Sequence, residues 1–105
     1  MKTFRVHMLA FGKPGEIREV DVPTEYVGTS SLHDMIYHYG QNDFQRKPHP
    51  SVSSGDVIEH DGKFVLIEFT GFRELSASEW EKYHNMTREE RFRQSVIKPI
   101  AYLAL

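Results

Sequence analysis

Hydrophobic and polar residues alternate near the start of the chain. Between Thr3 and Phe11, one side of the chain carries apolar side chains only, namely Phe4, Val6, Met8 and Ala10. A period of two is typical of a β-strand with one buried face. We therefore predict the first strand over residues 3–11.

A second alternating run follows a turn of glycine, lysine and proline at residues 12–15, and the two runs predict an N-terminal hairpin. In this second run Val20 and Val22 share a phase that Ile17 does not. A β-bulge near Glu19 would bring all three apolar side chains to one face. Pro23 is expected to end the strand, because proline has no N–H to donate to a ladder.

Helical spacing replaces the alternation after residue 30. Leu32, Met35, Ile36 and Tyr39 lie on one face of a short predicted helix that ends at Gly40. The next segment, residues 41–54, is polar and contains two prolines. Connections of this length in compact domains are often functional.

Asp61 and Gly62 separate two apolar runs, which is a strong signal for a two-residue hairpin with positive φ at both turn residues. Apolar side chains fall on both faces of this hairpin, and one face carries Ile58, Val65, Ile67 and Phe69. Its strands are therefore expected in the interior of a sheet that is covered at least partly on both sides. The turn type fixes three opposed pairs, His60 with Lys63, Ile58 with Val65 and Val57 with Leu66.

Two short helices and a final strand are predicted for the rest of the chain. Ser76 or Ser78 can cap a helix that carries Trp80 and Tyr83, and Thr87 to Glu90 has the form of a capping box. Residues 100–105 are all apolar or tyrosine, as in a buried strand. The order of elements predicts one α+β domain over residues 1–105, with a mostly antiparallel sheet of about five strands and two or three helices packed on it.

Composition narrows the classes of function. The 105 residues are 39% hydrophobic, enough for one core, and 13 basic against 15 acidic residues leave a net charge of −2. A chain this balanced has no overall field for a polyanion or an anionic membrane. It has no cysteine, no signal-peptide pattern and no long apolar run. We therefore expect a cytoplasmic protein that binds no membrane.

The sequence contains no constellation that marks an enzyme. The spacing G-x-S-x-G of a nucleophile elbow is absent. Glu59 and Glu68 could approach each other on one face of the hairpin, but an exposed patch is the favoured interpretation, because no glycine run that would form a pocket lies next to either. A metal site built on His33, Asp34 and His38 remains an alternative, although metal sites normally need three or four ligands and this spacing matches no known motif. We predict no catalytic residue, no cofactor and no metal.

The stretch of residues 51–75, SVSSGDVIEHDGKFVLIEFTGFREL, resembles the YodL-like family of small proteins from Gram-positive bacteria, their plasmids and their phages. The resemblance rests on the serine-rich lead into G-D-V-I at Ser51–Ile58 and on Gly71–Leu75 after the hairpin. The second strand departs from the family pattern, because it carries Glu68 where tyrosine or aspartate is frequent. The resemblance implies a compact, non-enzymatic accessory protein with no catalytic residues to carry over.

The leading hypothesis is accordingly a non-catalytic interaction protein, associated with a phage or plasmid, that binds a host protein. Trp and Tyr are enriched at binding hot spots, and the serine-rich turn could border a pocket. The candidate interaction residues are Trp80, Tyr83, Ser53, Asp56 and Phe72.

The alternative is a small nucleic-acid-binding protein. It would use the loop pair Arg46 and Lys47 together with a basic face between Arg88 and Lys98, in which Glu89 and Glu90 dilute the positive charge. The candidate nucleic-acid contacts are Arg46, Lys47, Arg88, Arg91 and Arg93.

Overall fold

Five strands in one antiparallel sheet and three helices make up the computed structural model, which describes residues 1–41 and 51–97. The spatial order of the strands is β2-β1-β3-β4-β5. This architecture confirms the predicted α+β class. The strands are β1 (Lys2–His7), β2 (Ile17–Val22), β3 (Val57–His60), β4 (Lys63–Glu68) and β5 (Gly71–Leu75), and the helices are α1 (Leu32–Tyr39), α2 (Ala77–His84) and α3 (Arg88–Ile97).

The N-terminal hairpin forms, but two details of its prediction are wrong. The first strand ends at His7 rather than at residue 11, although Met8 is still buried. No bulge interrupts the ladder, which runs in register along the whole of β1 and β2. Arg18 takes the inward phase of Val20 and is only 4% exposed, while Ile17 faces solvent. An arginine has a long aliphatic stem that packs on apolar neighbours, so its position can mimic that of a hydrophobic residue.

The central hairpin has the predicted register. His60 lies opposite Lys63, and the two apolar pairs that follow are those predicted from the sequence. Asp61 has φ of 51° and Gly62 has φ of 75°, the signs that this type of two-residue turn requires. The hairpin forms the middle of the sheet and is covered on both faces, as predicted.

The two faces of the sheet carry separate cores. On one face α1 packs over the strands through Leu32 and Ile36, both buried. On the other face Tyr83 of α2 and the following Met86 pack against Val57 and Leu66. The helices thus sandwich the centre of the sheet, and α2 and α3 follow each other on the second face.

The fifth strand of the described sheet is β5, which the sequence analysis did not predict. The segment predicted as a strand at residues 100–105 lies outside the described residues. A tight turn at Phe69 and Thr70 joins β4 to β5, because Glu68 pairs directly with Gly71. This turn places Phe69 in solvent with 69% of its surface exposed. The prediction that Phe69 shares a buried face with Ile58 is therefore wrong.

Both predicted helix caps in the C-terminal part are confirmed. Ser76 forms a reciprocal capping box with Glu79 at the start of α2. Thr87 does the same with Glu90 before α3, since each backbone N–H donates to the side chain of the other residue. None of the helices in residues 1–41 and 51–97 is long and apolar enough to cross a membrane.

Candidate functional site: an aromatic cleft at one end of the sheet

A cleft of about 360 Å³ opens at the end of the sheet where β1 and β4 finish and β3 begins. We call it the aromatic cleft. Its walls come from the strand ends on one side and from the helices on the other, with a mostly apolar surface. It is lined by Leu9–Phe11, Ser53–Gly55, Leu66–Phe69, Tyr37, Tyr83, Arg88 and Arg91.

Three aromatic side chains of the cleft are exposed to solvent. Phe11 is 61% exposed, Tyr37 is 37% exposed and Phe69 is 69% exposed. Among the described residues only five large hydrophobic side chains are exposed, so most of them lie at this one site. Exposing an aromatic ring forgoes the stabilisation that burial would give. Apolar groups gathered in this way are typical of interaction surfaces.

The floor of the cleft is held by Tyr83 and Asp56. The Tyr83 hydroxyl donates to the carbonyl of Gly55 over 2.7 Å. The Asp56 carboxylate accepts from the backbone N–H of Ala10 at 2.9 Å and from that of Ser53 at 2.8 Å. These bonds join the segment after β1, the turn before β3 and helix α2, so the cleft has a rigid base.

Asp56 is nevertheless an unusual carboxylate, because it is only 1% exposed. Burial raises the pKa of Asp56 to about 6, although the backbone N–H groups of Ala10, Ser53 and Leu9 act in the opposite direction. Removing the charge from water costs more than these hydrogen bonds recover. Protonation of Asp56 thus occurs at a pH well above that of an ordinary aspartate.

Two arginines of α3 border the cleft. Arg88 is exposed, and its Nη2 donates to the carbonyl of Gly12 next to Phe11. Arg91 is half-buried and donates to three backbone carbonyls, those of Leu9, Tyr83 and Met86. Burial lowers the pKa of Arg91.

Neither of these arginines has a carboxylate within ion-pair distance in residues 1–41 and 51–97. Glu68, the carboxylate that lines the cleft, lies 3.6 Å from Nε of Arg73 instead. The cleft therefore combines apolar walls with a positive edge.

The predicted interaction residues divide between the cleft and other places. Ser53 lines the cleft, Tyr83 forms its floor and Asp56 lies buried beneath it. Trp80 and Phe72 are elsewhere. Of the five candidate interaction residues, the structure brings Ser53, Tyr83 and Asp56 together at the cleft.

Trp80 belongs to an aromatic stack on the second face of the sheet. Its ring lies 4.3 Å from that of Phe64 and 4.7 Å from that of His84, nearly parallel to both. Phe72 packs on the opposite core, with its ring 5.6 Å from that of His33. Both side chains thus serve mainly as packing partners.

The predicted nucleic-acid contacts do not form one outward basic face. Arg88 and Arg91 turn toward the cleft, and Arg93 pairs with Glu89 one helical turn earlier at 3.1 Å. Arg46 and Lys47 lie outside the described residues. In the part of the predicted basic face that the structure describes, Arg88, Arg91 and Arg93 therefore each contact another group of the same chain.

The carboxylates and histidines that the sequence analysis singled out do not come together in the described part of the chain. Glu59 contacts Nε2 of His7 at 2.8 Å and Nη1 of Arg5 at 3.7 Å, so it is paired with basic groups and not with Glu68. Within residues 1–41 and 51–97, no three side chains of His, Cys, Asp or Glu come close enough to hold a metal ion. This includes His33, Asp34 and His38.

The residues that sequence reasoning missed are the exposed aromatics, Phe11, Tyr37 and Phe69. Phe11 and Phe69 both lie in turns. Two-residue hairpin turns normally contain glycine, asparagine or aspartate, so a phenylalanine in the turn at Phe69 and Thr70 is a signal of its own. Tyr37 gives no such signal, because a tyrosine on the outer side of a short helix is common.

The chain has no match among protein-family models, among curated proteins or among solved structures. Its function is therefore argued from the geometry of the cleft.

Proposed function

We propose that this chain is a non-catalytic interaction protein that binds an apolar segment of a partner protein in the aromatic cleft. The observation that carries the proposal is the gathering of Phe11, Tyr37 and Phe69, all exposed, around a cleft of about 360 Å³. A concave apolar site with a few polar groups is the usual form of a ligand site. Aromatic side chains are also the commonest anchors of protein interfaces.

The polar groups around the cleft support binding better than catalysis. Ser53 Oγ donates to the carbonyl of Ser51, and the Tyr83 hydroxyl donates to Gly55. The described lining residues include no histidine that could activate Ser53 or Ser54 as a nucleophile. These groups shape the cleft and leave its apolar surface free for a partner.

The resemblance of residues 51–75 to the YodL-like family supports an accessory role for a phage or plasmid, with a cytoplasmic host protein as the partner. Part of that stretch, Ser53–Gly55, lines the cleft. The resemblance and the site therefore fall on the same segment. Nucleic-acid binding has less support, because Arg91 and Arg93 are engaged by intramolecular partners and Arg88 alone does not provide the row of cations that a phosphate backbone needs.

Site-specific photo-crosslinking tests the proposal. The full chain is produced in its bacterial host with a photoreactive phenylalanine analogue at position 69 or, as a control, at position 17. Ile17 is a matched position, because it is an exposed hydrophobic residue outside the cleft. We expect one protein to crosslink from position 69 and not from position 17.

The identified partner is then purified and its affinity measured. Phe11→Ala and Phe69→Ala are each expected to weaken binding by about tenfold or more, since truncation of an anchor residue at a hot spot has an effect of this size. Ile17→Ala is expected to bind as the wild type does. All three side chains are exposed, so thermal unfolding should change little. Equal crosslinking from both positions, or full affinity in Phe69→Ala, would contradict the proposal.

A further inference from the structure

Arg88 at the mouth of the aromatic cleft forms no ion pair with a described residue, and its positive charge restricts what the cleft can bind. We infer that the segment bound in the cleft presents a single carboxylate to Arg88. The inference rests on the proposed function, and it adds the chemical class of the partner segment, an apolar stretch that ends in or is followed by a carboxylate.

Arg88 has the geometry of an anion anchor. It is exposed at the start of α3, and its side chain reaches across to Gly12, beside the exposed ring of Phe11. Only Nη2 is engaged in that contact, and no other hydrogen bond from the described residues occupies the guanidinium. The remaining N–H groups form a planar fork that suits the two oxygens of a carboxylate.

The surroundings of Arg88 strengthen the attraction for an anion. Arg91, one turn along α3, adds a second positive charge, and its contacts are with backbone carbonyls and not with carboxylates. The nearest candidate for compensation in the cleft wall, Glu68, contacts Arg73.

The site favours one carboxylate over a chain of phosphates. Arg91 is half-buried and committed to three carbonyls, so Arg88 is the arginine of the cleft that an incoming anion can reach. Arg93, the next arginine on the helix, pairs with Glu89. A nucleic-acid backbone would need several such cations in a row, and it would leave the aromatic walls without an apolar partner.

A pair of dipeptides tests the inference on the isotope-labelled full chain. N-acetyl-leucyl-phenylalanine carries a free carboxylate, and its C-terminal amide is the same molecule without the charge. Backbone amide resonances of Ala10, Gly55 and Phe69 report occupancy of the cleft. We expect both dipeptides to shift these resonances. In low salt the acid should bind about five times more tightly than the amide, because the strongest single exposed ion pairs change an affinity by about this factor.

Substitution of Arg88 separates the charge from the apolar contacts. Arg88→Gln is expected to bind the acid and the amide equally, because it lacks the charge that distinguishes the two probes. Arg93→Gln is the matched control, because Arg93 is an exposed arginine of the same helix that points away from the cleft lining, and it should keep the preference for the acid.

The possible outcomes distinguish this inference from the proposed function. Suppose that the cleft resonances shift in both titrations and that the wild type binds the acid and the amide with equal affinity. This result would overturn the inference that Arg88 binds a carboxylate, but the cleft would still be a binding site. No shift with either probe at millimolar concentration would overturn both. Cleft resonances that move on dilution of the chain alone would show that a second copy occupies the cleft, and would overturn the inference.

Discussion

As the pH falls from 7 to 4, the free energy of unfolding of the wild-type chain is expected to rise relative to that of Asp56→Asn. The folded-state pKa of Asp56 is about 6, against an ordinary value of 3.8. The folded chain therefore binds a proton at a pH where the unfolded chain does not, and protonation stabilises the fold. This difference between the two pKa values corresponds to a gain of up to about 3 kcal/mol in the free energy of unfolding, relative to Asp56→Asn.

Chemical denaturation at several pH values measures this effect. His33 has a lowered pKa because of its burial and therefore destabilises the fold as the pH falls, which partly offsets Asp56 in the wild type. Asp56→Asn keeps His33 and removes the titrating carboxylate, so the difference between the two proteins isolates Asp56. Parallel pH profiles would show that Asp56 titrates normally.

Gly12→Ala is expected to lower the free energy of unfolding by about 3 kcal/mol, an effect typical of overpacking at a buried site. A Cβ at position 12 would lie 2.5 Å from Cβ of Met8 and 2.6 Å from its carbonyl oxygen. Met8 is 1% exposed, so neither atom can move away without a shift of the backbone. The same shift would displace the carbonyl that Arg88 contacts, so dipeptide binding should weaken as well.

Gly15→Ala provides the control for this substitution. No atom lies within 4 Å of a Cβ at Gly15, but its φ of +77° is unfavourable for alanine. Its cost should therefore be conformational alone, about 1 kcal/mol. Denaturant unfolding of the two variants compares them directly. A loss in Gly12→Ala no larger than in Gly15→Ala would mean that the turn adapts to the extra carbon.

Local signals in the sequence predicted the elements whose geometry is decided locally. The Asp61-Gly62 turn determines the register of β3 and β4 because its backbone twist matches that of the flanking strands. The caps at Ser76 and Thr87 likewise depend on contacts within one turn of helix. Such features need no knowledge of the rest of the fold.

Features that depend on distant parts of the chain were predicted less well. Ile17 appeared to belong to the core, yet Arg18 takes the inward position, and only the full sheet decides which phase of β2 is buried. The alternation of polar and apolar residues in β5 is short and weak, so it does not predict a strand. The segment becomes a strand because it pairs with β4. Phe69 was assigned to the core because alternation does not show where a strand ends.

The cleft could not be predicted, because its walls come from segments spread between Leu9 and Arg91 in sequence. Each segment alone has an ordinary interpretation, a strand, a turn or a basic helix. Asp56 is the partial exception. Aspartate before a strand favours hydrogen bonds with nearby backbone N–H groups, and Asp56 accepts one from Ser53, but its partner at Ala10 is 46 residues away.

The central seam of the sheet also has a consequence for the rate of folding. The hairpin β1-β2 and the meander β3-β4-β5 each form from neighbours in sequence, but β1 and β3 are joined by only three opposed pairs, Arg5 with Glu59, Val6 with Ile58 and His7 with Val57. The chain between β1 and β3 is long, from His7 to Val57. Bringing its ends together costs conformational entropy before the contacts between the two strands can offset that cost. We therefore expect the docking of the two halves to limit the folding rate, and the cleft to form in the same step.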